Sequence, residues 1–399
     1  MMHASNALFL LLGALVFVVT LPGTLEILFL TLGAGRKAKR LGYGRLRDTR
    51  LAIVIPAHNE AGLIGRCVAS IAASAQSPGY REIVVVADNC TDETARLAAE
   101  AGARVLVRQN AELRGKGYAL HLAFDQLLTE GFDAFLVVDA DSMVSPNLVS
   151  EVVSRLGAGA SAVQCRYRVA NASTSLRARL MDVAFLAFNV LRPRGRSGWG
   201  VSAGILGNGF GLRGETLQKV PYTAASIVED LEYHLRLVAA SEQVDFIDEA
   251  TVFGEIPAGS QAARAQRSRW EGGRLRMAGE WAPRLVAGIV RGQWRLTEPL
   301  LDLLTLPLAY QVLLLSLSIF LPAPFRQYSV LALGVVALHV LCASLFGEQP
   351  MKTVLALASA PFYILWKVTT LDAVLSASRR EARWVRTGRD NEAGLRIAK

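Results

Sequence analysis

The sequence predicts an α/β domain on a mostly parallel sheet, flanked by membrane-spanning helices at both ends of the chain. Long apolar segments lie near the two termini, and between them short apolar runs alternate with helical stretches. Strands that alternate with helices of about 10–15 residues imply βαβ units. The 399 residues are 52% hydrophobic and 19% charged, with a formal net charge of +9, which excludes a disordered chain and favours an integral membrane protein.

The first apolar segment runs from Ala7 to Gly33 and contains one charged residue, Glu26. At about 1.5 Å per residue, a helix of this length crosses a bilayer core of about 30 Å. A cleaved signal peptide is the alternative, but the apolar run is too long for one and nothing basic precedes it. We therefore expect a retained transmembrane helix.

Basic segments indicate the orientation of the chain. Residues 36–50 include seven Lys or Arg and one Asp, and the tail from Arg379 has seven Lys or Arg and three acidic residues. By the positive-inside rule both segments face the cytoplasm, and the middle of the chain lies there too. Because the first segment adjoins a membrane span, we expect it to contact anionic membrane lipid, and we expect no nucleic acid partner.

Near the C-terminus, two apolar stretches of 19 residues predict spans over Leu303–Leu321 and Tyr328–Phe346. A third stretch, Thr353–Trp366, has 14 residues and is interrupted by Pro361. Three full spans here would place the basic tail outside the cytoplasm. We therefore interpret the third stretch as re-entrant or interfacial.

The middle of the chain lacks the motifs of two common nucleotide-binding classes. No GxGxxG follows the first strand and no complete Walker A loop occurs, which argues against a dinucleotide oxidoreductase and a P-loop NTPase. Four cysteines without CxxC spacing argue against a disulfide framework and a zinc site. The predicted strands are Leu51–Ile55, Glu82–Ala87, Arg104–Val107 and Phe135–Val138, and the predicted helices are Glu60–Ala75, Thr91–Ala101 and Gly117–Leu128.

Acidic residues follow two of these strands, at the strand ends where parallel sheets bind ligands. Asp139 and Asp141 follow the fourth strand, and two carboxylates this close repel each other unless a cation lies between them. A divalent ion would resolve the repulsion and neutralise a diphosphate, whereas the alternative is a solvated turn that opens a helix. Asp88, after the second strand, could accept from the imide N–H of uracil or could cap a helix.

Two later motifs offer a base and a phosphate clamp. Glu229, Asp230 and Glu232 interrupt an apolar run, and one of these carboxylates could take a proton from an attacking hydroxyl; a solvated first helical turn is the alternative. Arg267 and Arg269 could hold phosphate oxygens, and Trp270 could stack on a sugar ring. The alternative for this segment is a basic amphipathic helix on the membrane surface.

In this order, the motifs resemble the membrane-bound family 2 glycosyltransferases, which include cellulose, chitin and hyaluronan synthases. Val163–Tyr167 and Gly207–Gly209 are most similar to the bacterial exopolysaccharide-assembly branch. The resemblance implies a GT-A fold, which is a Rossmann-like nucleotide-sugar fold, a UDP-sugar donor and direct displacement with inversion at the anomeric carbon. It covers about residues 51–276, and the motifs that carry it are Val54–Glu60, Asp88–Asp92, Asp139–Asp141, Glu229–Asp230 and Gln266–Trp270.

The resemblance also implies a role for each matched residue. Asp230 would be the catalytic base, although Val228 stands where the family's Thr-Glu-Asp-like motif has Thr. Asp141 and Asp139 would bind Mg²⁺ or Mn²⁺. The donor-binding residues would be Pro56, Ala57, Glu60, Asp88, Lys116, Asp139, Gln266, Arg267 and Arg269. The acceptor-binding residues would be Gly207, Asn208, Glu229 and Trp270.

The predicted function is inverting, metal-dependent transfer of a sugar from a UDP-sugar to a saccharide hydroxyl in exopolysaccharide synthesis, at the cytoplasmic face of a bacterial inner membrane. One alternative is a single transfer to a membrane lipid or lipid-linked acceptor. Another is a non-catalytic sugar-nucleotide sensor, against which the complete set of metal, base and clamp residues argues. Three or four spans are few for a polymer channel, so a homo-oligomer or an exopolysaccharide export partner would complete it.

The same reasoning divides the chain into six predicted regions. They are an N-terminal transmembrane helix (1–35), a basic cytoplasmic linker (36–50), the GT-A domain (51–270), amphipathic interface helices (271–300), a transmembrane or re-entrant region (301–378) and a basic cytoplasmic tail (379–399).

Overall fold

The computed structural model describes residues 2–38, 49–75, 79, 81–256 and 260–378. The predicted linker 36–50 lies mostly outside the described residues, and the predicted tail 379–399 lies wholly outside them. The chain forms two compact units. Among the described residues, the helical unit comprises 2–37, 175–199 and 264–378, and the α/β unit comprises the remainder.

Within the described residues, the α/β unit is built on an eight-stranded sheet of order β3-β2-β1-β4-β7-β6-β8-β5. The strands are β1 Leu51–Ala57, β2 Arg81–Asp88, β3 Arg104–Arg108, β4 Ala134–Val137, β5 Met143–Val144, β6 Ala162–Val169, β7 Phe210–Arg213 and β8 Val244–Gly254. The four strands predicted from the sequence are confirmed as β1 to β4.

The sheet is mixed rather than mostly parallel. Strands β1, β2, β3 and β4 form parallel pairs, and so do β6 and β8. Strand β7 lies antiparallel between β4 and β6, and β5 is antiparallel to β8. The difference arises in the second half of the sheet, which lies beyond the run of alternating strands and helices on which the prediction of parallel pairing rested.

The described α-helices belong to both units, and a π-helical turn, Ala187–Leu191, connects α6 and α7. In chain order they are α1 Met2–Ala34, α2 Ile64–Ser74, α3 Thr94–Glu100, α4 Lys116–Thr129, α5 Leu148–Gly157, α6 Leu176–Leu186, α7 Arg192–Trp199, α8 Gly214–Lys219, α9 Glu229–Ala239, α10 Ser260–Val290, α11 Thr297–Leu304, α12 Leu308–Ser318, α13 Phe325–Ser344, α14 Pro350–Ala356, α15 Ala360–Val368 and α16 Leu371–Ala377.

Two apolar layers, one on each face of the sheet, form the core of the α/β unit. Leu51, Ile53 and Ile55 of β1 pack into the layer that includes α2 and α5, whereas Ala52 and Val54 pack into the layer that includes α4 and α9. Successive residues of a strand point to opposite faces, so a strand covered on both faces is apolar at every position. This packing brings the carboxyl ends of β1, β2 and β4 to one edge of the sheet.

Two described helices in the helical unit are long and apolar enough to cross a membrane, Ala7–Ala34 with 28 residues and Phe325–Ser344 with 20. They agree with the first predicted span and with the predicted span over Tyr328–Phe346. Two further pairs of helices are each bent at a short break. They are Trp294–Leu304 with Leu308–Ser318, bent by 75°, and Pro350–Val368 with Leu371–Ala377, bent by 56°. If each pair counts as one span, the described residues contain up to four candidate spans.

The stretch predicted as a span over Leu303–Leu321 falls on a bent pair of helices, Trp294–Leu304 and Leu308–Ser318, and not on one continuous helix. Helix α11 ends at Leu304, and α12 begins at Leu308 after Pro307. Proline has no backbone N–H to continue a helix and disfavours helical geometry in the residue before it. Hydropathy counts the apolar residues of this stretch, but it does not detect the change of direction at the proline.

Helices α1 and α7 of the helical unit approach each other closely at glycines. A Cβ on Gly195 would lie 2.1 Å from the Leu30 carbonyl oxygen, and one on Gly198 would lie 2.0 Å from the Gly33 carbonyl oxygen. Trp199 Nε1 donates to the Phe29 carbonyl oxygen at 2.7 Å. Small residues at such a crossing let two helix backbones come into contact.

A buried ion network joins four helices of the helical unit. Glu26 of α1 is fully buried, with Oε1 at 3.6 Å from Nη2 of Arg196 on α7. Arg196 also pairs with Glu298 and with Asp302 of α11, at 2.9 Å in the latter case, and Arg274 of α10 lies 3.0 Å from Asp302. A charged side chain inside a membrane span is costly unless it is paired, so this network accounts for the acidic residue in the first predicted span.

We expect Gly195→Ala to lower the melting temperature of the purified protein, because the new methyl group collides with the Leu30 carbonyl. Overpacking of this kind costs about 1–3 kcal/mol. Gly65→Ala is the control, since Gly65 lies within α2 and has no atom within 4 Å of its Cβ position. Alanine favours helix over glycine, so Gly65→Ala should melt at or above the wild-type temperature. Equal melting of the two variants in detergent would contradict the close contact.

Candidate functional site

The loops that follow β1 and β2 are tied together. His58 Nδ1 lies 2.7 Å from the carbonyl oxygen of Asp88, and the backbone N–H of Glu60 donates to Thr94 Oγ1 at 2.7 Å. Asn59 has a φ of 55°, in the left-handed region that Asn tolerates better than most residues. The loop after β1 is therefore held in a defined conformation beside the end of β2.

The predicted donor-binding residues of the first motif lie at this position. Pro56 and Ala57 are the last residues of β1, and Glu60 follows in the loop, half-buried. Ligands of such sheets bind outside the carboxyl ends of strands. The position is consistent with contact to a nucleotide, and the individual roles stay predictions.

Asp88 ends β2 and is buried, and an arginine on the neighbouring strand holds its carboxylate. Arg108 Nη1 donates to Asp88 Oδ1 at 2.6 Å, and Asn89 Nδ2 donates to the same oxygen at 2.9 Å. Arg108 is the residue paired with Asp88 in the parallel register of β2 and β3. Arg108 was not among the predicted site residues; the sequence shows a basic residue directly after the third predicted strand, but not its pairing with Asp88.

Lys116, the first residue of α4, reaches across to the end of β4. Its Nζ lies 2.5 Å from Asp139 Oδ1 and donates to the Gly207 carbonyl oxygen. Asp139 follows β4 by two residues and is half-buried. The ammonium group thus supplies the positive charge that a carboxylate at this edge requires.

Asp230 approaches the same place from the first turn of α9. A Cβ added to Gly207, which has a φ of +81°, would lie 2.9 Å from Asp230 Oδ2. The positive φ and the close carboxylate together disfavour any side chain at position 207. The structure therefore brings together four of the predicted residues, Lys116, Asp139, Gly207 and Asp230, in the α/β unit.

The charges of this cluster shift one another's proton affinity. Burial and the neighbouring Asp230 raise the pKa of Glu229 to about 7, and burial raises the pKa of Asp230. Burial alone would lower the pKa of Lys116, but the carboxylates of Asp139 and Glu229 outweigh it and raise this pKa. A carboxylate with a raised pKa is a stronger general base near neutral pH.

Asn208 holds the turn after β4. Its side chain is buried, with Oδ1 accepting from the Asp139 backbone N–H at 3.1 Å and Nδ2 donating to Ser142 Oγ at 2.8 Å. Gln164 Nε2 donates to the Asn208 carbonyl oxygen at 2.7 Å. Through these contacts Asn208 helps to position Asp139. Its contact with the acceptor stays a prediction.

The turn after β4 has the chemistry of a partial divalent-metal site. Asp139 and Asp141 are half-buried carboxylates two residues apart, and Ser142 Oγ donates to Asp141 Oδ1 at 3.2 Å. Mg²⁺ prefers oxygen ligands and is often bound by one or two carboxylates together with substrate phosphates. No cluster of three or more His, Cys, Asp or Glu placed to hold a metal occurs in the described part of the chain. The residues fit an ion that shares its coordination with a diphosphate.

The remaining predicted residues, Gln266, Arg267, Arg269 and Trp270, lie on α10 in the helical unit. Arg267 is buried and donates to the Tyr363 hydroxyl, whereas the other three are half-buried. The Trp270 ring packs against Phe185 at 6.3 Å between centroids. Their predicted roles toward donor and acceptor are untested.

At one edge of the sheet, the start of α4 supplies a lysine, and the end of β4 and the first turn of α9 supply carboxylates. Such an arrangement suits an enzyme that binds a divalent ion together with a diphosphate. Residues 49–273 match the family model described as glycosyltransferase like family 2. The match covers more than half of the chain, and the chain belongs to this family. The predicted family and enzyme class are thereby confirmed.

A solved structure confirms the predicted GT-A fold. The mannosyltransferase PcManGT from Pyrobaculum calidifontis, in complex with GDP-Man and Mn²⁺, matches with a TM-score of 0.55 and 18% sequence identity. The match covers 95% of this chain and 99% of that chain. At this level of identity the likeness concerns the fold, and the bound GDP-Man and Mn²⁺ describe PcManGT.

Two curated relatives are similar in sequence. The probable glycosyltransferase YdaM of Bacillus subtilis is 26% identical over 233 residues, which are 56% of this chain and about half, 55%, of YdaM. The beta-monoglucosyldiacylglycerol synthase of Nostoc is 26% identical over 398 residues, covering 92% of this chain and 84% of the synthase.

The proton affinity of Glu229 predicts a pH dependence of stability. Its pKa is about 7 in the folded protein against 4.5 ordinarily, so the folded state binds the proton more tightly than the unfolded state. The protonated Glu229 carboxyl therefore stabilises the folded state. This contribution to the free energy of unfolding is fully present below about pH 4.5 and is lost as the pH rises through about 7. We expect the melting temperature to fall by a few degrees between pH 5.5 and 8, and to fall less in Glu229→Gln.

Thermal unfolding of both proteins over this pH range measures the effect, with Glu215→Gln as control because Glu215 is an exposed residue of α8 paired with Arg213. If the melting temperature fell equally with pH in the wild type and in Glu229→Gln, the result would contradict the burial of this carboxyl.

Proposed function

We propose that the protein transfers a sugar from a UDP-sugar to a hydroxyl group of a membrane lipid, with inversion at the anomeric carbon and with Mg²⁺ or Mn²⁺. The observation that carries the proposal is the cluster of Lys116, Asp139, Glu229 and Asp230 at the strand ends of a family 2 domain. This cluster supplies a cation for phosphate, a carboxylate for metal and a carboxylate base within one region of the α/β unit.

Asp139 and Asp141 would hold the divalent ion, whose charge would neutralise the diphosphate leaving group. Lys116, already at 2.5 Å from Asp139, would face the same phosphates with its ammonium group. Asp88, held by Arg108, would accept from the imide N–H of uracil. The donor would therefore be bound at its base and at its diphosphate by residues of the α/β unit.

Asp230 would act as the general base. The acceptor hydroxyl attacks the anomeric carbon while its proton passes to the Asp230 carboxylate, and the bond from that carbon to the diphosphate oxygen breaks. One glycosidic bond forms, UDP leaves with the bonding electron pair, and the configuration inverts. Burial of Asp230 raises its pKa and so increases its proton affinity for this step.

A lipid acceptor is supported by two observations. The helical unit contains two helices that are long and apolar enough to cross a membrane. The relative that extends over 92% of this chain is named a beta-monoglucosyldiacylglycerol synthase. We propose a multi-pass protein of the bacterial inner membrane with its α/β unit in the cytoplasm. Polymer synthesis, the function predicted from the resemblance, is the competing outcome of the experiment.

Purified protein in vesicles that contain diacylglycerol is incubated with a panel of radiolabelled UDP- and GDP-sugars. We expect one UDP-sugar to label a lipid-soluble product carrying a single sugar, and we expect EDTA to stop the reaction and excess Mg²⁺ or Mn²⁺ to restore it. A water-soluble polymer would overturn the lipid acceptor, a GDP-sugar donor would overturn the assignment of UDP, and full activity in EDTA would overturn the metal.

We expect Asp230→Asn to lower kcat by roughly 10²–10⁴-fold, because the base is lost while the shape of the site is kept. UDP binding should stay within about threefold of wild type. Glu232→Gln is the matched control, since Glu232 lies in the same turn of α9 and pairs with Arg236 at 2.5 Å instead of with the Lys116 cluster. Wild-type turnover by Asp230→Asn would exclude this residue as the base.

A further inference from the structure

The ammonium group of Lys116 lies between two oxygen atoms of the α/β unit. Its Nζ is 2.5 Å from Asp139 Oδ1 and also donates to the Gly207 carbonyl oxygen. Carboxylate and carbonyl oxygens are the ligands that hard divalent cations prefer in proteins. The ammonium group therefore binds a carboxylate that the proposed metal ion would also bind.

The backbone of Asp139 is held on both sides. Its N–H donates to Asn208 Oδ1 at 3.1 Å, and its carbonyl oxygen accepts from the Ser142 N–H at 3.0 Å and from Cys67 Sγ at 3.4 Å. All three of these partner residues are buried. Because a move of this turn would break buried hydrogen bonds, Asp139 stays in place when its partner changes.

The carbonyl oxygen of Gly207 belongs to a segment that Gln164 of β6 fixes. Gln164 Oε1 accepts from the Leu206 N–H at 2.8 Å, and Nε2 donates to the Asn208 carbonyl oxygen at 2.7 Å. The Gln164 side chain is fully buried. Gly207 lies between these two anchored residues, so both oxygens that contact Lys116 have fixed positions.

Lys116 is the partner that can move. Its ammonium group stands at the end of a flexible four-carbon stem, and the side chain is 21% exposed. Gly115, directly before it, has no atom within 4 Å of its Cβ position, so the start of α4 borders open space. The side chain can therefore turn away from Asp139 without any change in the fold.

The charges around Lys116 make its position depend on what binds. The carboxylates of Glu229 and Asp230 act on the ammonium group together with Asp139. A divalent ion that reached Asp139 alone would meet a like charge at short range, which is unfavourable. An ion that arrived with a diphosphate would bring negative charge as well, and the ammonium group would then be attracted to the phosphate oxygens.

We propose that Lys116 couples metal binding to donor binding by holding the metal-binding carboxylate of Asp139 until a diphosphate arrives. Without nucleotide, the ammonium group opposes a divalent ion at Asp139. With nucleotide, it turns to the phosphates and leaves the carboxylate to the ion. Coupling between two ligands is reciprocal, so UDP and the ion raise each other's affinity by the same factor. The inference rests on the proposed function, since it concerns the diphosphate of the donor.

The first experiment measures Mn²⁺ binding to the full chain in detergent without nucleotide, from the electron paramagnetic resonance signal of free Mn²⁺. Lys116→Met removes the charge and keeps the length of the side chain, and it should bind Mn²⁺ at least about fivefold more tightly than wild type. Lys219→Met is the matched control, because Lys219 is an exposed residue of the same unit that pairs with Glu242. The control should stay within about twofold of wild type. Unchanged or weaker Mn²⁺ binding in Lys116→Met would overturn the proposal.

The second experiment measures UDP binding by calorimetry, once in saturating Mn²⁺ and once in EDTA. In wild type we expect Mn²⁺ to raise the affinity for UDP about tenfold or more, and in Lys116→Met we expect this factor to be smaller by about fivefold. A lysine that only binds phosphate would weaken UDP binding equally in both conditions. An equal factor in wild type and Lys116→Met would therefore overturn the coupling.

If Lys116→Met fails to fold, Lys116→Gln takes its place, because glutamine removes the charge and keeps a donor for the Gly207 carbonyl oxygen. The same two changes are expected of it. A failure of the proposed function is visible separately. The wild-type protein would then bind no UDP in either condition, whereas Mn²⁺ binding without nucleotide would still show whether Lys116 opposes the ion.

Discussion

The ammonium group of Lys116 lies among the carboxylates of the proposed site and balances their charge. Lys116 Nζ bonds Asp139 and the Gly207 carbonyl, and the charges of Glu229 and Asp230 act on it as well. Without this cation, the half-buried carboxylates of Asp139, Glu229 and Asp230 would repel one another at the edge of the sheet. The backbone on both sides of the contact between Lys116 and Asp139 has glycines where a side chain would collide with a neighbour.

Gly117, next to Lys116, shows how closely the chain is packed here. A Cβ on Gly117 would lie 2.1 Å from the Ala224 carbonyl oxygen and 3.4 Å from Glu229 Cβ. The start of α4 can therefore rest against the segment that leads into α9 only because residue 117 has no side chain. Gly207 plays the corresponding part beside Asp230, where a positive φ and a missing Cβ admit the carboxylate.

Much of the α/β unit could be predicted from local sequence. Strands β1, β2 and β4 are continuous apolar runs because both faces of the sheet are covered, and the acidic residues after β2 and β4 follow from the rule that ligands bind at strand ends. Arg108 was not predicted, because its pairing with Asp88 depends on the register of two strands separated by a helix. The antiparallel β7 and the full bonding of Asn208 likewise depend on contacts between distant parts of the chain.

The helical unit illustrates a different limit. Composition located the long apolar helices, but the bend at Pro307 changes direction without changing hydropathy. The two arginines of the Gln266–Trp270 motif differ for a geometric reason as well, since a separation of two residues turns a side chain to nearly the opposite face of a helix. The sequence motif contains Arg267 and Arg269 without distinguishing them, and the difference between them is visible only in the folded structure.

The ion network around Glu26 has a consequence for biogenesis. Glu26 lies near the start of the chain, whereas its surroundings are completed by Arg196, Glu298 and Asp302, which are synthesised much later. An ionisable residue within an isolated apolar helix opposes insertion of that helix into a membrane. Helix α1 therefore reaches its lowest free energy only after the ribosome has released residues beyond 302. A truncation that removes α11 would leave Arg196 of α7 without Glu298 and Asp302, with Glu26 of α1 as the one remaining acid of the described network, even though α1 and α7 are still present.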